Sequence, residues 1–135
     1  MSDPYVYYAH SMRKYNTQVE RDEFDTITAK FDYPVINPNG AVNQNQSGEA
    51  AMRQCLDLVR RSKALVFTVL SHKWIGRKVY TEILEARNAK IDVFLLLDGQ
   101  LYSTFDIKAY GPTWALYATV SNAGRRKTIK EWLKL

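Results

Sequence analysis

Two largely apolar runs dominate the chain, ALVFTVL at residues 64–70 and IDVFLLL at residues 91–97. Runs of strand length without polar alternation imply burial on both faces, as in the middle of a parallel sheet. The β-formers of YVYYA at residues 5–9 end at polar positions and read as another buried strand, and residues 33–36 read as a short further one. Helical spacing appears between these segments. Thr17 followed by Glu20 makes a capping-box pattern ahead of Phe24, Ile27 and Phe31, which recur on one helical face. Over residues 48–62, Met52, Cys55, Leu56 and Val59 form an i, i+3, i+4, i+7 stripe, so Cys55 reads as a small core residue. A third helix is expected over residues 79–88.

Strands alternating with helices in this order require right-handed crossovers and a mostly parallel sheet. Pro38 and Gly40 in NPNG end the second strand in a loop. After Asp98 and Gly99, residues 101–107 fit either a short strand or an irregular loop; residues 113–120 read as a fifth strand, and 125–135 as a closing helix. The expected fold class is α/β: a single-domain Rossmann-like or flavodoxin-like three-layer sandwich with a mostly parallel five-stranded sheet, spanning residues 1–135. Ligands of such sheets bind beyond the carboxyl ends of the strands, which directs attention to the loops at 10–16, 37–47 and 71–78.

Composition narrows the classes further. At 135 residues, 46% hydrophobic and 24% charged, the chain suits one packed core and is unlike a disordered chain. With Cys55 as the only cysteine, no intramolecular disulfide can form, and the start MSDPYVYYAH lacks a secretory pattern, so a reducing, cytoplasmic setting is expected. No apolar run approaches the roughly 20 residues that cross a bilayer, and no membrane partner is expected. A net charge of +5 favours an anionic partner, either a phosphate-bearing ligand or nucleic acid. The chain has no GxGxxG turn, Walker loop, GxSxG elbow or Cys and His set at metal-ligand spacing, so neither metal nor cofactor is expected.

The stretch MRQCLDLVRRSKALVFTVLSHKWIGRKVYTEILEARNAKIDV combines a helix, a buried strand, a glycine-containing loop, a Glu-Ile-Leu-x-Ala helix and another buried strand. Together with YVYYAHSMRKYN and VINPN before it, this order resembles the nucleoside 2-deoxyribosyltransferase superfamily. That superfamily includes base-exchanging transferases and hydrolases of deoxynucleoside 5'-monophosphates. The resemblance implies Glu82 as the nucleophile on the anomeric carbon, Tyr7 orienting it, and Ser11 and Arg13 gripping sugar or phosphate. A guanidinium suits phosphate because its forked donors match the oxygens. It also implies substrate contacts from His10, Asn37, Asn39 and Gly76, and a cleft between the 10–16 and 71–78 loops onto which Glu82 opens. Neighbouring subunits of the family complete each pocket; with the aromatic-rich segment 101–117, this implies a homo-oligomer.

Read without the resemblance, Glu82 is an acid complementing a helix dipole, Tyr7 a core aromatic, and His10 a solvated loop residue. The chain also departs from the family. Cys55 and Lys63 stand at the positions that best match two usual aspartates, leaving protonation of the departing base unassigned. Asp57 lies two residues from Cys55, about 200° round the helix, and should face elsewhere. Three readings therefore stand: an N-glycosidic-bond transferase or hydrolase acting on a nucleoside or nucleotide, a non-catalytic nucleotide-binding module of the same fold, and a basic nucleic-acid-binding protein.

Overall fold

The computed structural model describes residues 4–42, 46–103, 105–109 and 115–120. Its main sheet contains β1 (Val6–Ala9), β2 (Val35–Ile36), β3 (Ala64–Phe67), β5 (Asp92–Leu97) and β6 (Gln100–Tyr102), in the order β2-β1-β3-β5-β6. The first four are parallel to their neighbours, and β6 turns back antiparallel at the edge. Between β5 and β6 the chain reverses through Asp98 (φ 52°) and Gly99 (φ 76°). Positive φ at both central positions is what a tight two-residue hairpin demands, and Gly99 meets it without strain.

Period-two alternation sorts the strand side chains onto two faces. Val6 and Tyr8, with Ala64, Val66, Phe94 and Leu96, pack against Ile27 of α1 (Gln18–Lys30) and Phe31 at its C-cap. Tyr7 and Ala9, with Leu65, Phe67 and Leu95, pack against Cys55 and Val59 of α3 (Gly48–Arg60) and Val79, Ile83 and Ala86 of α4 (Arg77–Asn88). The result is a three-layer sandwich. Because side chains alternate strictly, Tyr7 and Tyr8 must serve opposite faces, and a slip of one residue would exchange them.

Four local expectations are corrected. Residues 38–41 form α2 (Pro38–Ala41), a single helical turn rather than open loop, with Asn37 as N-cap and Pro38 at its first position, where a missing N–H costs nothing. Within the expected 71–78 loop lies β4 (Trp74–Gly76), and α4 begins directly after it. The late segment supplies β7 (Phe105–Ala109) and β8 (Ala115–Val120), which join β4 in a separate antiparallel sheet ordered β4-β8-β7. Residues 115–120 are thus not the fifth strand of the main sheet: the tight turn after β5 gives that edge to β6. On α3 only Cys55 and Val59 are fully in the core; partly buried Ala51 and Leu58 pack against that cluster, whereas Met52 and Leu56, also partly buried, do not belong to it. The closing helix expected at 125–135 lies outside the described residues.

Candidate active site

Considering only strands of the main sheet, the spatial order is 2-1-3-4-5, and the topology reverses between β1 and β3. This is the place where a doubly wound sheet opens a crevice at its carboxyl edge. The side chains gathered there fall into two polar networks, one on each face.

On the α3/α4 face, Tyr7 rises from β1 and its hydroxyl donates to Glu82 Oε2. Glu82 has 0% exposure. Its other support is Lys78, one helical turn earlier, whose Nζ lies 3.3 Å from each carboxylate oxygen. Burial pushes the Glu82 carboxyl up from the usual carboxylate range, opposed first by the Lys78 charge and then by the Tyr7 hydrogen bond. Burial, followed by the Glu82 charge, pushes the Tyr7 phenol far up, so it stays protonated and can only donate to the carboxylate. Cys55 joins the group through Tyr7, and burial raises its thiol as well. The hydroxyl of Tyr15 is also buried here without a hydrogen-bond partner, close enough for Cys55 and Glu82 to raise it beyond the effect of burial. Lys63 is exposed where β3 begins, and half-exposed Asp57 pairs with Arg60 and Arg61 on the outer side of α3.

On the α1 face, the Tyr8 hydroxyl donates to Glu23 at 2.5 Å. Lys14 completes the cluster, donating to Glu23 (2.8 Å), to the Thr68 hydroxyl (2.9 Å) and to the Val69 carbonyl (2.8 Å). All three ammonium donors are used. His10 is not solvated: it is fully buried, stacked on Tyr8 with ring centroids 3.7 Å apart, and its Nε2 sits 2.7 Å from Glu20. Its Nδ1 contacts the Tyr8 carbonyl at 3.2 Å, so both ring nitrogens are engaged within the protein. Glu20 departs from a simple capping box. Its N–H is capped by Thr17, but its carboxylate accepts from the Asn16 N–H and the Asn39 amide as well as facing His10. Asn37 caps α2 through its side chain, accepting from the Asn39 N–H.

Between the 10–16 and 71–78 segments lies a cleft of about 310 Å³, bordered by Ser11, Arg13, Trp74, Gly76 and Arg77 among others. The Ser11 side chain accepts from the Arg13 N–H, which sets the turn that carries the exposed arginine. Gly76 precedes α4 and offers no side-chain cap, leaving the N–H groups of the first turn without one. Thus Ser11, Arg13 and Gly76 share the cleft, Tyr7 and Glu82 share the enclosed network beside α4, and His10, Asn37 and Asn39 belong to the Glu20 network. Glu82 does not open onto the cleft, because Tyr7 and Lys78 hold its carboxylate inward.

Lys14, Glu23, Thr68 and Tyr15 escaped the sequence reading, which saw Glu20 only as half of a capping box and Lys78 only as part of a basic loop. Only Lys78 carried a usable signal, its four-residue spacing from Glu82 on one helix. The others meet across elements far apart in sequence. Among the described residues, no group of His, Cys, Asp or Glu side chains could hold a metal ion, and no helix is long and apolar enough to cross a membrane.

His10 makes one pH prediction. Burial lowers its pKa from the free value of 6.5, outweighing Glu20, which acts in the opposite direction. A depressed folded value means that protonating the buried ring opposes folding, so stability is full above pH 6.5 and is lost as pH falls through the folded pKa. Urea unfolding between pH 7.5 and 5 should therefore show declining stability, with a shallower decline in His10→Gln; equal slopes would contradict the assignment.

No protein-family profile matches the chain, and no curated protein matches it. A solved structure described as 2-desoxiribosyltransferase from Leishmania mexicana is similar, with a TM-score of 0.55 at 12% identity over 90% of this chain and 81% of that one. At that identity the likeness establishes a shared fold.

Proposed function

We propose that this chain is an N-glycosidic-bond enzyme, a transferase or hydrolase of nucleosides or nucleotides, acting in the cytoplasm as a homo-oligomer with Glu82 as nucleophile. One observation carries the reading: a fully buried carboxylate, gripped by Tyr7 and Lys78, stands at the topological switch point beside a basic cleft. Burying a charge is costly, and groups perturbed in this way concentrate at sites of chemistry. The shared fold with a 2-desoxiribosyltransferase agrees with this reading without assigning the residues.

In the proposed reaction a Glu82 oxygen bonds to the anomeric carbon as the carbon–nitrogen bond breaks, and its electrons leave with the base, which takes up a proton. Water or a second base then displaces the carboxylate from the glycosyl ester and restores it. Tyr7 donates to one oxygen in the enclosed position, so the Glu82 side chain must turn toward the cleft before the other can meet the substrate. The cleft supports a phosphorylated ligand: Arg13 and Arg77 border it, and an uncapped helix start favours an anion. Arg13→Ala should raise KM for a 5'-nucleotide by about 10-fold or more through loss of a charge-assisted contact, while leaving the corresponding nucleoside nearly unchanged. Equal losses for both would remove Arg13 from phosphate binding.

A binding module is the second reading, favoured by the enclosure of Glu82 and by Cys55 and Lys63 at the usual aspartate positions. Incubation with a panel of nucleosides and 5'-nucleotides, assayed for released base, separates the two. Nucleotide binding without release from any member would select the module.

A further inference from the structure

We propose that Lys78 is a positioning residue for Glu82: its ammonium, equidistant from both carboxylate oxygens, holds the plane of the buried group while Tyr7 fixes one oxygen. The inference rests on the reading of Glu82 as the site's working carboxylate, but it concerns a residue which that reading does not require.

Geometry makes the case first. Lys78 and Glu82 are four residues apart on α4, with Nζ 3.3 Å from Oε1 and 3.3 Å from Oε2. An ammonium centred between the two oxygens holds the plane of the carboxylate, while Tyr7 fixes one of them. The exposures differ: the Lys78 side chain is 22% exposed and that of Glu82 0%. The cation therefore keeps part of its hydration while neutralising a group that has none. A lysine in the first helical turn works against the macrodipole and, placed before a glutamate, has the weaker orientation for an i, i+4 pair. Helix stability alone does not favour it there.

The surroundings leave the role to Lys78. The titratable groups near Glu82 are Tyr7 from β1, Cys55 from α3 and Tyr15 from the segment before α1, and burial keeps all three protonated. Among these described groups, Lys78 alone brings positive charge to the carboxylate. Burial raises the Glu82 carboxyl, and Lys78 is the largest opposing influence, ahead of Tyr7. A raised folded value means that ionising Glu82 lowers stability as pH rises through it, so losing Lys78 should carry that transition to higher pH. Lys78 also lowers His10 across the site, so its removal should raise the histidine.

The test is the carboxyl 13C titration of Glu82 in protein labelled at glutamate, assigned by the signal missing from Glu82→Gln. Lys78→Met should move the Glu82 midpoint up in pH and the His10 midpoint up with it, and Lys78→Arg should bring both back toward wild type. Lys78→Gln serves equally if the methionine variant fails to fold. Superimposable Glu82 titrations in wild type and the neutral variants would overturn the inference. This result is independent of turnover. Base release with an unmoved titration would keep the proposed function and discard the role of Lys78, whereas a shifted titration without base release would do the reverse.

Discussion

Glu82→Gln is expected to reduce base release by about 10⁴-fold or more while the protein still folds and binds nucleotide, because a neutral amide cannot attack the anomeric carbon. The fold should tolerate the change. The amide retains the shape of the side chain and an oxygen for the Tyr7 hydroxyl, and it no longer requires a buried charge. Its cost is an unpaired Lys78, whose side chain is exposed enough to turn toward water. Stability should therefore move by no more than about 1–2 kcal/mol, the scale of a lost or weakened hydrogen bond. Rates measured against thermal midpoints separate lost chemistry from lost structure. Wild-type turnover that persists in Glu82→Gln at near full rate would eliminate the nucleophile assignment even with the fold intact.

Lys14→Met should be the most destabilising of the polar substitutions. It deletes three hydrogen bonds and leaves Glu23 without its cation in a place where the two side chains are only 10% and 20% exposed. Breaking a buried pair from one side costs about 3–5 kcal/mol; the residual exposure of Glu23 should reduce this to about 2–4 kcal/mol. Replacing both members, as Lys14→Met with Glu23→Leu, should recover part of the loss because no charge is stranded. Urea unfolding of the two single variants and the double variant gives the coupling directly. A function should weaken with it. Lys14 ties the turn bearing Ser11 and Arg13 to the carbonyl of Val69 just past β3, so its loss should raise KM for a 5'-nucleotide more than it lowers kcat. A Lys14→Met protein as stable as wild type would show that the pair contributes little to holding that turn.

The layers of this protein were legible in its amino-acid sequence alone. The apolar runs at 64–70 and 91–97 could be buried only between two sheets of helices, and the spacing of Phe24, Ile27 and Phe31 showed which side of α1 faces the core. Alternation alone separated Tyr7 from Tyr8, because adjacent strand residues must point to opposite faces. Local chemistry failed where distant partners compete for the same atoms. Thr17 and Glu20 form the start of α1, but the Glu20 carboxylate is drawn to His10 and Asn39, and His10 is thereby taken from solvent into the interior. Likewise β8 was legible as a strand, while its membership in a second sheet depended on β4 and on the Asp98–Gly99 turn giving the main edge to β6. The closure of Glu82 was also a tertiary matter. Helical spacing places Lys78 and Glu82 on one side of α4, but only the packing of α4 against β1 brings Tyr7 to the same carboxylate and removes it from water, since burial is a property of the assembled layers and not of any one segment.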